Sequence, residues 1–82
     1  MNITQVEKID IIMTCFPNTY VFRGKPKLIS EQQIEALSYS IYLMVRGWGK
    51  FCATNRSGEK HKVSVQFLRR MINNYVPQEF LK

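Results

Sequence analysis

Ser30-Glu31-Gln32-Gln33-Ile34-Glu35-Ala36-Leu37-Ser38-Tyr39-Ser40-Ile41-Tyr42-Leu43-Met44-Val45 opens with a capping box and continues as an apolar stripe. The Ser30 hydroxyl is placed to accept from the backbone N–H three residues on, and Gln33 to reach back to the Ser30 N–H. Glu31 complements the positive end of a helix dipole. Ile34, Leu37, Ile41, Met44 and Trp48 then recur at steps of three and four, the a/d spacing of a coiled coil. Tyr42 and Val45 widen the stripe. The pattern predicts a helix 2 from about Glu31 to about Gly47, ended by Gly47-Trp48-Gly49. Arg46 and Lys50 suit its negative end. The seam is too short for an isolated coiled coil, so the expectation is a core helix with Trp48 inside. A homodimer through the seam is the lesser expectation.

Toward the N-terminus, Ile3, Val6, Ile9, Ile12, Met13 and Phe16 repeat at the helical period. Thr4, Glu7, Lys8 and Asp10 fall largely opposite. This predicts helix 1 over Ile3–Phe16, capped by Asn2 or Thr4 and stopped by Pro17. Residues 17–28 read as a connection. Tyr20-Val21-Phe22 has strand character, cut short by Gly24 and Pro26. Arg23, Lys25 and Lys27 sit here without an acid, either as a solvated loop or as a phosphate-contacting one.

Toward the C-terminus, the polar run 55–62 contains Ser57-Gly58, a turn signal. Val63, Val65 and Phe67 alternate with polar residues, as in a strand. Val65, Leu68, Ile72 and Tyr75 instead follow the helical period, and Pro77 ends the run. The favoured reading is helix 3 from about Ser64 to about Tyr75, with residues 61–67 open between strand and helix start. The expected fold is a mostly α, three-helix single domain over residues 1–82. It would have a short β-hairpin between helices 2 and 3 and a loose tail at 78–82.

The chain has 82 residues, 45% of them hydrophobic, and a net charge of +6. That excludes a second domain and disfavours full disorder. Stability should be modest, about 4–8 kcal/mol for a domain of this size. Two cysteines, Cys15 and Cys52, do not make a disulfide framework. The apolar stretch 9–16 is interrupted by Asp10 and does not read as a signal peptide. No run is long enough to span a bilayer. The expected location is cytoplasmic, with no membrane partner.

Catalytic signals are weak. Cys15, Cys52 and His61 are the only soft ligands and lack metal-site spacing, so neither a metal nor another cofactor is expected. A hairpin would let Cys52 and His61 face each other, so geometry does not forbid a thiolate–imidazole pair. Cys52 lies in an apolar stretch, however, and reads as a buried, inert thiol. His61 lies among lysines and reads as solvated. Glu31 and Glu35 share a helix face but look solvent-facing. Gly47-Trp48-Gly49-Lys50 lacks the spacing of a phosphate loop. The expectation is a protein that is not an enzyme.

The charge is localised. Residues 23–70 hold ten bases against three acids, whereas residues 1–22 hold one base and two acids. Clustered positive charge is the footprint of nucleic-acid binding. The bland alternative is charge kept for solubility. Arg23, Lys25, Lys27, Arg56, Lys60 and Lys62 are the candidate phosphate contacts. On helix 3, Gln66, Arg69, Arg70 and Asn73 lie opposite the apolar stripe with Asn74 nearby, and Arg, Asn and Gln read base edges bidentately. Phe67 and Met71 form a second apolar stripe that narrows this polar strip.

Small size, basic charge and the absence of an enzyme motif resemble accessory proteins of phages and mobile elements. The likeness is one of type and rests on no specific motif. The leading expectation is a non-enzymatic regulator that binds DNA or RNA. The alternative is a small inhibitor or adaptor that docks on a larger host protein through Phe22, Arg46, Trp48, Phe51 and Phe80. Aromatics beside cations suit a protein hot spot as well as a single strand.

Overall fold

The structure is a computed structural model that describes residues 5–77 and residue 79. In chain order it contains α1 (Gln5–Met13), β1 (Thr19–Phe22), β2 (Lys25–Leu28), α2 (Glu31–Val45), α3 (Lys50–His61) and α4 (Val65–Tyr75). The mostly helical class holds. Two expectations are corrected: the described residues form four helices rather than three, and the hairpin lies between α1 and α2 rather than after α2. The expected caps of α1 and the expected tail other than Glu79, Phe80 included, fall outside the described residues.

The α2 capping box forms in both directions. The Ser30 hydroxyl accepts from the Gln33 N–H at 3.2 Å, and Gln33 Oε1 accepts from the Ser30 N–H at 2.9 Å. Ser30→Ala removes one of these and should lower stability by about 1 kcal/mol in urea unfolding. Ala36, Leu37, Ser40, Ile41, Leu43 and Met44 are buried along α2. The expected seam fails at both ends, because Ile34 is 46% and Trp48 45% exposed. The helix stops at Val45, and Gly47 at φ 105° turns the chain, so a helical period carried on to Trp48 has no helix beneath it. Leu37, Ile41 and Met44, the middle of the seam, pack inside the molecule with Ile12 of α1 and Leu68, Met71 and Ile72 of α4.

Residues 50–61 form a helix where a hairpin was expected. The inward side of α3 is made of small residues: Ala53, Thr54, Ser57 and Gly58 are all buried. Ser57 lies against α2 and donates its hydroxyl to the Ala36 carbonyl, which also accepts from Ser40 at 2.9 Å. Gly58 lies under the start of α4, with Val63 and Val65 above it. Ser57-Gly58 is therefore a close-packing device between three helices and not a turn. The helix ends where Lys62 enters the left-handed region at φ 58°, and the Val63 N–H donates to the Gly58 carbonyl at 3.1 Å. That six-residue closure belongs to the Schellman motif. Ser64 then caps α4, its hydroxyl accepting from the Phe67 N–H at 3.4 Å. Residues 61–67 thus resolve as helix end, three-residue turn and helix start.

The hairpin pairs Tyr20 with Lys27 and Phe22 with Lys25. Arg23 and Gly24 make its turn, both at positive φ (53° and 77°), as a type I′ turn requires. Pro26 is tolerated in β2 because of the ladder's alternation. The Ile29 N–H donates to the Asn18 carbonyl, so every second pair from there is hydrogen-bonded. Pro26, opposite Val21, falls between those pairs, where its missing N–H would have pointed outward. Tyr20 seats the hairpin on α4, its ring 4.8 Å from that of Phe67 at 65°, and its hydroxyl accepts from Gln33 Nε2 at 3.3 Å. Among the described residues no helix is long and apolar enough to cross a membrane.

Candidate functional site

Helix α4 buries Leu68, Met71 and Ile72 and turns Gln66, Arg70, Asn73 and Asn74 outward. Gln66, Arg70 and Asn74 stand four residues apart, so they line up along one side of the helix. The hairpin walls this side. The β1 segment from Tyr20 to Phe22 lines one side of a groove of about 330 Å³, and Gln66, Phe67, Arg70, Met71, Asn74 and Tyr75 line the other, with Gln33 and Ser64 also in the lining. Among the described residues no carboxylate lines the groove. Phe22 forms its rim, with the Arg23 guanidinium 5.2 Å and the Lys27 ammonium 5.0 Å from its ring centre. Lys25 is exposed on β2 opposite Phe22.

The other border of the α4 strip comes from the start of α3. Arg69 is half-buried there. Its Nε donates to the Thr54 hydroxyl at 3.0 Å, a terminal nitrogen donates to Asn55 at 2.9 Å, and its guanidinium lies 4.5 Å from the Phe51 ring centre. Asn73 accepts from Lys50 Nζ at 2.6 Å. Arg69 and Asn73, both read from sequence as base readers, therefore also clamp α4 to α3. Phe51, 63% exposed, caps this edge with Lys50 5.9 Å from its ring centre.

The remaining bases point elsewhere. Lys60 lies 4.6 Å over the ring of Tyr39 on α2. Arg56 shares a shallow depression with Glu59 and Lys60. His61 Nδ1 is 4.0 Å from Glu35 Oε2, and the His61 ring meets Tyr39 edge-on, so His61 is packed rather than solvated. Lys62 is exposed at the end of α3. Arg46 donates to the Tyr42 hydroxyl at 2.6 Å beyond the end of α2. The ten central bases thus divide. Arg23, Lys25, Lys27 and Arg70 surround the groove and Lys50 and Arg69 stand at the α3 border, while Arg56 and Lys60 join Glu35 and Glu59 on another face and Arg46 and Lys62 lie just past the ends of α2 and α3.

Two expectations about Cys52 change. It is exposed rather than buried, because the helical phase of α3 turns it away from Ala53 and Thr54. It also cannot face His61 across a hairpin. The two lie nine residues apart on one helix, about 13 Å along its axis.

Sequence reasoning missed Tyr20, Gln33 and Tyr75. The strand alternation of Tyr20 with Phe22 and the four-residue step from Gln66 through Arg70 to Asn74 were the available signals. Gln33 gave none, because its capping role accounts for it fully. Comparison of the chain with protein-family models, with curated proteins and with solved structures finds no match, so the reading of function rests on the groove and the α4 strip themselves.

Proposed function

We propose that this protein is a non-enzymatic nucleic-acid-binding protein that uses the outward strip of α4 and the bases bordering it. The observation that carries this reading is the segregation of charge around α4. Among the described residues the strip and its groove contain Arg70 and no carboxylate, and their rims carry Arg23, Lys25, Lys27 and Lys50. Glu35 of α2 and Glu59 of α3 pair or mingle with His61, Arg56 and Lys60 on a different face. A surface of one sign concentrates a polyanion and steers its approach. The chemistry inside the strip suits bases as well as phosphates. Gln66 and Asn74 offer amides that both donate and accept, and Arg70 offers a planar fork of donors.

The roles divide accordingly. Arg23, Lys25, Lys27 and Lys50 contact phosphates, and Arg70, Gln66 and Asn74 contact bases. Arg69 and Asn73 hold the strip against α3 while presenting what remains of their polar surface. Arg56, Lys60 and Lys62 fall outside this assignment. A low-salt titration of the protein against labelled single- and double-stranded DNA and RNA tests the reading. Saturable binding of at least one is expected, and its absence from all four would end it.

A protein partner has one observation in its favour. Val21, Pro26 and Leu28 share the hairpin face opposite Tyr20 and Phe22, and Val21 is 63% and Leu28 78% exposed. Such a patch suits an adaptor surface. A complex that survives nuclease treatment and is lost in Leu28→Asp would favour it.

A further inference from the structure

We infer that the groove between β1 and α4 holds an unpaired base of a single-stranded segment, so that the preferred ligand is a single strand rather than a duplex. This rests on the nucleic-acid reading and narrows its ligand.

The shape of the strip is the first reason. A helix that enters the major groove of a duplex must stand proud of its neighbours. Here the hairpin stands beside α4, with Tyr20 packed on Phe67, so Gln66, Arg70 and Asn74 form the wall of a recess instead of a ridge.

The lining is the second reason. Tyr20, Phe22, Phe67 and Tyr75 bring four aromatic rings to one small groove. Phe22 and Tyr75 are each about two-fifths exposed (41% and 40%) and present ring surface to an entering group. Unstacked bases are recognised by stacking on such rings and by hydrogen bonds to their edges. The amides of Gln66 and Asn74 and the guanidinium of Arg70 lie in the same lining, within a recess of about 330 Å³ that suits one planar base. The cations over Phe22 sit where the flanking phosphates of a single strand would pass.

Charge selects the occupant. An apolar peptide would bury Arg70 without a partner, and an acidic one would pair with the cations but bring no stacking face to the rings. A nucleotide brings both a stacking face and an anion.

The full-length protein is titrated by fluorescence anisotropy against a labelled single strand of about twelve nucleotides and against the same sequence as a blunt duplex. The single strand should bind at least about tenfold more tightly. Phe22→Ala and Tyr75→Ala, both at exposed positions and checked for fold by circular dichroism, should each weaken it by roughly 5- to 150-fold, the effect of losing one stacked base. Tyr75→Phe should retain binding, and duplex binding should be unchanged in all three. A duplex that binds as tightly as the single strand overturns the inference. So does single-strand affinity that survives both alanine variants within about twofold. Either result leaves nucleic-acid binding standing. Failure of every nucleic acid to bind overturns that reading and this one together.

Discussion

Gly58→Ala should destabilise the protein by about 1–3 kcal/mol, against the usual direction for such a change. Alanine in place of glycine inside a helix ordinarily stabilises by about 1 kcal/mol. At Gly58 a Cβ would lie 2.7 Å from Val65 Cγ2 and 2.8 Å from the Val63 carbonyl oxygen. The valine methyl can move. The carbonyl belongs to the turn between α3 and α4, where the Val63 N–H is bonded to the Gly58 carbonyl and the Ser64 carbonyl accepts from Leu68. Shifting it loosens the end of α3 and the start of α4 together. In a domain whose total stability is about 4–8 kcal/mol, that loss is large. Urea unfolding of the single variant and of Gly58→Ala with Val65→Ala measures it. The second substitution removes the side-chain clash only, so it should restore part of the loss. Stabilisation by Gly58→Ala alone would mean that the α3–α4 corner is looser than described.

Arg70→Glu should weaken nucleic-acid binding by roughly 10- to 100-fold, the loss of one good base contact with a repulsion added. Arg56→Glu changes the net charge by the same amount and should alter affinity by less than about threefold. Comparing the two separates a site from a general charge effect. Both side chains are exposed, so neither substitution disturbs the core. If both variants lose affinity equally, binding follows net charge and the α4 strip has no special role. If Arg56→Glu loses more, the interface lies on the outer face of α3.

The elements legible from sequence were those with a strong cap and a strong period. Ser30 to Gln33 and the stripe after it marked α2. Ser64, the Val65-Leu68-Ile72-Tyr75 period and Pro77 marked α4. Helix α3 was illegible because its buried side consists of Ala53, Thr54, Ser57 and Gly58, which carry little hydrophobic signal. Their smallness lets α3 approach α2 and α4 closely, and the same smallness makes Ser57-Gly58 look like a turn. The hairpin was misplaced for a related reason. Its turn begins with Arg23, a residue that rarely takes positive φ, and Pro26 argued against a strand although the ladder has a place for it.

The site was legible as composition more than as geometry. The ten bases were countable, but their division between the α4 border and the Tyr39 face depends on the phase of α3, which was not known. Arg70 and Gln66 were readable from the α4 period. The groove was not, since it needs the hairpin to stand beside α4, and only Tyr20 meeting Phe67 puts it there. Trp48 was placed in the core by extending a seam past the end of its helix, where Gly47 had already turned the chain.

The most direct test of nucleic-acid binding through this basic surface is the slope of log affinity against log salt for the tightest-binding nucleic acid. Arg23, Lys25, Lys27 and Lys50 are the phosphate contacts beside the strip. If each neutralises one phosphate, affinity should fall linearly with a slope of about −2.8 for a single strand, or about −3.6 for a duplex. A flat response, or no measurable binding at the lowest salt, would contradict it.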